Sequence, residues 1–162
     1  MRQDKAPLTE EQALSKAARY CVGAERCLWE VQRKLAQWGA SPEDYEPILA
    51  YLLAEGFVCE ARYAEAFARD KHRFSGWGAR RIEQELRARQ IKSADIGTAL
   101  GALEAELDPQ EQLQKLLEKK YRSLPEGLDR RKAYERLMRY GLYRGYDYDA
   151  VAEIASTLVA IS

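Results

Sequence analysis

Apolar residues recur along this chain at steps of three and four, with polar residues between them, and that spacing predicts helices almost throughout. Thr9 to Gln12 reads as a capping box, in which threonine accepts from the first turn and glutamine reaches back. Leu14, Ala17, Ala18 and Cys21 then share a face until Gly23. A second helix from about Glu25 carries Leu28, Val31 and Leu35, and Gly39 stands where a left-handed terminating residue belongs. Ser41-Pro42 restarts the chain as N-cap and first helical residue, ahead of Tyr45, Ile48, Leu49, Leu52 and Leu53.

The same grammar recurs twice. Tyr63 and Phe67 mark a helix that Ser75-Gly76-Trp77-Gly78 breaks, and Ile82 and Leu86 mark the next. Ser93 is a cap for a third, lined by Ile96, Leu100, Leu103 and Leu107. Asp108, Asp129 and Asp147 can cap three more. Their stripes are Leu113, Leu116, Leu117 and Tyr121, then Tyr134, Leu137 and Met138, then Val151, Ile154, Ala155, Leu158 and Val159. Leu28, Val31 and Leu35 match Ala79, Ile82 and Leu86 at an offset of 51 residues. Gly39, Gln90 and Gly145 fall at equivalent places. Nine helices in three sets of three therefore form an all-α tandem array, expected to be elongated and curved, with units 1–58, 59–107 and 108–162.

Charge adds a second pattern. The 162 residues hold 26 basic and 26 acidic groups, yet the signs are segregated. Residues 69–92 are net +5 and residues 115–144 net +6, between acidic stretches. No apolar run nears the roughly 18 residues of a membrane span, and the N-terminus has no apolar core of a secretory signal. Three cysteines, Cys21, Cys27 and Cys59, on such a chain read as reduced thiols in a cytoplasm.

Catalytic chemistry is scarce. His72 is the single imidazole and, between Lys71 and Arg73, reads as solvent-facing or partner-facing. The cysteine spacing is not that of a zinc site and suits small buried hydrophobes better. There is no Gly-Lys dipeptide for a phosphate loop, and Glu83 and Glu85 diverge on a helix. Neither enzyme activity, metal nor cofactor is expected.

Binding chemistry is more plentiful. Arg69 to Arg81 combines Arg69, Lys71, Arg73, Arg80 and Arg81 with Phe74 and Trp77 around a turn. Trp77 offers a stacking face, or with Phe74 serves as a core wedge. In the second block Lys132, Arg136 and Arg139 share one side, framed by Tyr140 and Tyr143 and followed by Arg144. Such cations suit a phosphate backbone or an acidic protein groove equally.

Several segments resemble the RecX regulatory proteins of bacteria. They are Arg62-Tyr63-Ala64 with Glu65 to Lys71, Trp77-Gly78-Ala79-Arg80-Arg81-Ile82 with Glu85-Leu86, and Arg144-Gly145-Tyr146 with Asp149-Ala150-Val151. Tyr20-Cys21, Glu25-Arg26-Cys27 and Lys34-Leu35 resemble the first repeat of that family. Cys59 stands where the family commonly has a capping aspartate. The resemblance implies three-helix repeats and a non-enzymatic monomer that binds the RecA filament on DNA. It implies limited filament growth and reduced RecA ATPase, strand exchange and co-protease action, in DNA repair and the SOS response. With a near-neutral chain, DNA binding on its own is expected to be weak. Arg69, Lys71, Arg73, Trp77, Arg80, Arg81, Lys132, Arg136, Arg139 and Arg144 are the contact candidates. A helical DNA binder without RecA contact, or an adaptor, are the competing readings.

Overall fold

The computed structural model describes residues 6–161. Within them the chain forms nine α-helices and one 3-10 turn, and no strand. The outer limits of the expected units, residues 1–5 and 162, lie outside the described residues. The helices are α1 (Glu10–Gly23), α2 (Leu28–Gln37), α3 (Tyr45–Ala54), α4 (Glu60–Ser75), α5 (Ala79–Ala88), α6 (Ser93–Glu106), α7 (Pro109–Ser123), α8 (Arg130–Tyr143) and α9 (Tyr148–Ile161). The Thr9 capping box forms in full, and the Asp108 and Asp129 carboxylates accept from the first turns of α7 and α8. Two expected caps do not form. Ser41 precedes the 3-10 turn Pro42–Asp44 without a side-chain bond, and Ser93 is the first residue of α6 behind Lys92. Helix α2 starts three residues later than its acidic lead-in suggests, because Cys27 is the N-cap.

Three apolar cores divide the array. Ala13, Ala17, Val31, Leu35, Ile48 and Leu52 centre the first, Ala64, Ile82, Leu86 and Ala99 the second, and Leu113, Leu117, Leu137 and Val151 the third. Cys27 and Trp29 of the first set of helices pack into the second core, so neighbouring sets share apolar surface.

The inward stripes differ from the expected ones where small residues carry them. Ala13, Ala17 and Cys21 line the buried face of α1, with Leu14 at its edge. On α4 the expected Tyr63 is buried, with Phe67 packed beside it, and Ala64, Ala68 and His72 join it. His72 is 3 % exposed, which overturns its reading as a solvent-facing residue. Phe74, expected as a core wedge, is 77 % exposed, and Leu53 is exposed as well. Helix α4 packs against α6, and Phe74 stands in the last turn of α4, on the face that buries Tyr63 and packs Phe67 earlier in the helix but outside the second core.

The repeat is visible in one turn. Gly39, Gln90 and Gly145 all have positive φ, at 83°, 61° and 95°. In each case the next amide closes a six-residue ring: Ala40 onto Leu35, Ile91 onto Leu86 and Tyr146 onto Gly141. Gln90 pays the left-handed strain that glycine avoids at the other two.

Candidate functional site

The first basic block lies at the seam between α4–α5 and α8–α9. Helix α4 ends at Gly76 in the left-handed region, and α5 begins behind Gly78 with no side-chain cap. Its orphan donors are met from the other side of the seam. The Gly78 amide donates to the Arg144 carbonyl at 2.6 Å, and the Arg80 amide to the Gly145 carbonyl at 3.1 Å. The Arg144 guanidinium reaches back to the Ser75 carbonyl, and Arg81 donates to the Tyr143 carbonyl at 3.3 Å. The two turns clasp each other. A Cβ on Gly78 would stand 2.6 Å from the Gly145 oxygen, and one on Gly145 would stand 2.5 Å from the Arg81 nitrogen. The Trp-Gly-x-x-Arg and Arg-Gly-Tyr segments thus meet, and both glycines are required by backbone contact.

Trp77 is half-buried against the second core, edge-on to Phe67. Lys71 lies 4.9 Å and Arg81 4.3 Å from its ring centre, and Arg81 also covers Tyr143 at 4.6 Å. The His72 Nδ1 lies 2.9 Å from the Trp77 carbonyl, so that nitrogen carries the proton and donates. Arg80 pairs with Asp147 at 2.9 Å and Arg69 with Glu106 at 3.5 Å, both at the surface and each worth little to stability. Most cations of the first block therefore have partners within the chain, while Arg73 is exposed with none among the described residues.

The second block differs. Lys132, Arg136 and Arg139 are all exposed on α8, without an ion pair or hydrogen bond among the described residues. Beside them Arg131 pairs with Glu135 at 3.3 Å. Of the two framing tyrosines, Tyr140 is half-buried under Lys120 and Arg144, and Tyr143 is 70 % exposed. The sequence candidates are thus split between a bonded seam and an open stripe.

The seam between the first and second sets escaped sequence reasoning. The Leu28 amide, at the start of α2, donates to the Glu60 carboxylate at 2.8 Å. Arg62 pairs with Glu25 beside it. Cys59 is the N-cap of α4 without a side-chain bond, and the acidic residue after it caps a different helix. Burial pushes the Glu60 carboxyl above its usual range, against the Leu28 hydrogen bond that lowers it. Burial likewise pushes the neighbouring Cys27 thiol up to about 12, leaving it an inert packing group. The signal for Glu60 was its place one residue after an uncapped helix start, which alone does not reveal a partner so distant in sequence.

No group of three metal-ligating side chains occurs among the described residues, and none of their helices is long and apolar enough to cross a membrane.

Comparison with known proteins places this geometry among relatives. Residues 60–100 match the family described as RecX, second three-helix domain, and residues 106–154 match RecX, third three-helix domain. "Regulatory protein RecX" of Pseudomonas savastanoi pv. phaseolicola is 40 % identical over 128 residues, covering 78 % of this chain and 79 % of that protein. The protein of the same name from Pseudomonas fluorescens is 38 % identical over 127 residues, again 78 % and 79 %. The crystal structure of a regulatory protein RecX superposes with a TM-score of 0.81 at 23 % identity, over 91 % of this chain and 73 % of that one. RecX from Lactobacillus salivarius gives 0.72 at 22 % identity, over 92 % and 96 %, so the shared fold extends past the matched domains.

Proposed function

Since this chain belongs to the RecX family, we propose that it binds RecA filaments on DNA and restrains them. It acts without catalysis, as a cytoplasmic monomer, limiting filament growth and lowering RecA's ATPase, strand-exchange and co-protease activities. The units 1–58, 59–107 and 108–162 work together, because a repeat array can touch several subunits of a filament at once. The observation that carries the reading is the likeness at 40 % identity across most of the chain to a protein named for regulation.

The contact surface follows from the partition of the cations. Lys132, Arg136 and Arg139, with Arg73, are free to meet an anionic partner, since no internal bond must break first. Arg81, Arg144 and Trp77 support that surface from the seam, and Arg69, Lys71 and Arg80 contribute at its edge after exchanging internal contacts.

The test is the DNA-stimulated ATPase of RecA from the same source, titrated with the purified chain and a competitor-DNA control. Inhibition well below the ratio that coats the DNA is expected. Inhibition only at coating ratios would favour a plain DNA binder, which the open cation stripe on α8 also suits. Changing Arg136 and Arg139 together to glutamate should raise the half-inhibiting concentration at least tenfold with an unchanged melting temperature. A fall in helical signal would contradict their exposed placement.

A further inference from the structure

Helix α3 carries a face that the function above leaves unused. Its inner side holds Ile48 and Leu52 in the first core. Its outer side is apolar as well: Pro47, Ala50, Tyr51, Leu53 and Ala54 are all exposed, Tyr51 at 45 % and Leu53 at 43 %. Exposed Glu43, Glu46 and Glu55 rim it, and none of them forms an ion pair among the described residues. No Lys, Arg or His occurs from residue 35 to residue 61. An apolar centre with a polar rim is the anatomy of a protein interface, and a carboxylate rim repels a phosphate backbone.

The complement to that face stands in the third set. On α8, Lys132, Arg136, Arg139 and Tyr143 follow one another at steps of four, three and four, all of them exposed. The three cations form no ion pair among the described residues. Three unpaired carboxylates and a tyrosine on α3 are thus matched by three unpaired cations and a tyrosine on α8. The lengths agree too: at the helical rise, Glu46 to Glu55 spans about 14 Å and Lys132 to Tyr143 about 17 Å. Helix α3 packs into the first core and α8 into the third, and both of these faces are open to solvent, so a molecule does not satisfy itself.

We propose that the α3 face of one molecule docks on the α8 stripe of a second copy of this chain. The contact is head-to-tail: the first copy keeps its own α8 stripe open and the second its own α3 face, so further copies can follow. Exposed ion pairs are individually weak, so the dilute chain stays a monomer. The contact forms where copies crowd, as on a shared filament, which raises their effective concentration. A neighbouring copy and any other anionic partner take the α8 stripe in turn.

The test needs neither RecA nor DNA, so its outcome is separate from that of the reading above. Backbone amide resonances of Ala50, Leu53, Arg136 and Arg139 are followed while the full chain is diluted from about 1 mM, where contacts of millimolar affinity are populated. The amides of both helices should shift together on dilution, with Leu86 and Ile96 of the second set unmoved. Raising the salt from about 50 mM to about 0.5 M should weaken the contact at least tenfold. Glu46→Lys and Arg136→Glu should each weaken it at least tenfold. An equimolar mixture of the two variants should restore it, because the unaltered α8 of one meets the unaltered α3 of the other. Glu43→Lys with Arg139→Glu serves if a member of the first pair disturbs folding. The proposal is overturned if no amide shifts on dilution, if only one of the two helices responds, or if salt leaves the contact unchanged. It is overturned equally if the mixture associates no better than either variant alone.

Discussion

The two seams of the array solve one problem by different means. In each, a helix start takes an acceptor from the next set, α2 in addition to its own Glu30 carboxylate on the Cys27 amide and α5 with no side-chain cap of its own. Helix α2 takes a side chain, the Glu60 carboxylate; α5 takes two backbone carbonyls, those of Arg144 and Gly145. A side chain reaches from a distance and leaves the two backbones apart. A carbonyl can cap only when backbone meets backbone, so the second seam admits no Cβ at Gly78 or Gly145. The first seam is therefore tolerant and its cap is a titratable group, and the second is rigid in what it accepts and capped by backbone groups that do not titrate.

The largest separation should come from glycine substitution. Gly145→Ala combines positive φ with a collision against the Arg81 backbone and should cost more than about 3 kcal/mol. Gly39→Ala has nearly the same φ but open space around it, and should cost about 1–2 kcal/mol. Chemical denaturation of both variants decides the point: equal losses would mean that the clasp contributes nothing beyond φ. At the first seam, Glu60→Ala should cost about 1 kcal/mol, as loss of a cap.

The smallest effect concerns pH. The native Glu60 carboxyl holds its proton more tightly than the unfolded one, so it stabilises the fold at low pH and loses that contribution as pH rises through its raised pKa. Glu60→Gln keeps an acceptor for Leu28 and removes the charge. Its stability relative to wild type should be highest near pH 7 and should shrink on acidification toward the ordinary glutamate range. A difference that grows on acidification would reverse the assignment.

Much of this was legible in the sequence, and the failures have a common cause. The left-handed place of Gln90 followed from register with Gly39 and Gly145, since a repeat must end each corresponding helix alike. The leucine and isoleucine stripes followed from spacing. Leu137→Ala, in a fully buried place, should therefore cost about 2–5 kcal/mol, and half-buried Leu49 or Ile154 less. What misled was size. Ala64, Ala68 and His72 have helical spacing as good as any and are buried beside the expected Tyr63, yet spacing favoured only the large residues of that helix, and Phe74 in its last turn is exposed. Where two helices approach closely, small side chains face inward, and no local preference announces which helices will do so. The candidate site failed to resolve for a related reason: Arg81 and Arg139 are equally basic in sequence, and only the seam distinguishes a guanidinium held between two rings from one left in water.

The borrowed start of α5 also limits how such proteins can be recombined. A unit whose helix start takes its acceptors from the next unit loses those bonds when it is excised, reordered or exchanged, so it is not a self-contained brick. Chimaeras between relatives should be spliced within helices, so that residues 76–81 and 143–147 come from one parent as a single cassette. By the same reasoning a change on either side of that cassette would need a matching change on the other, although the two lie far apart along the chain.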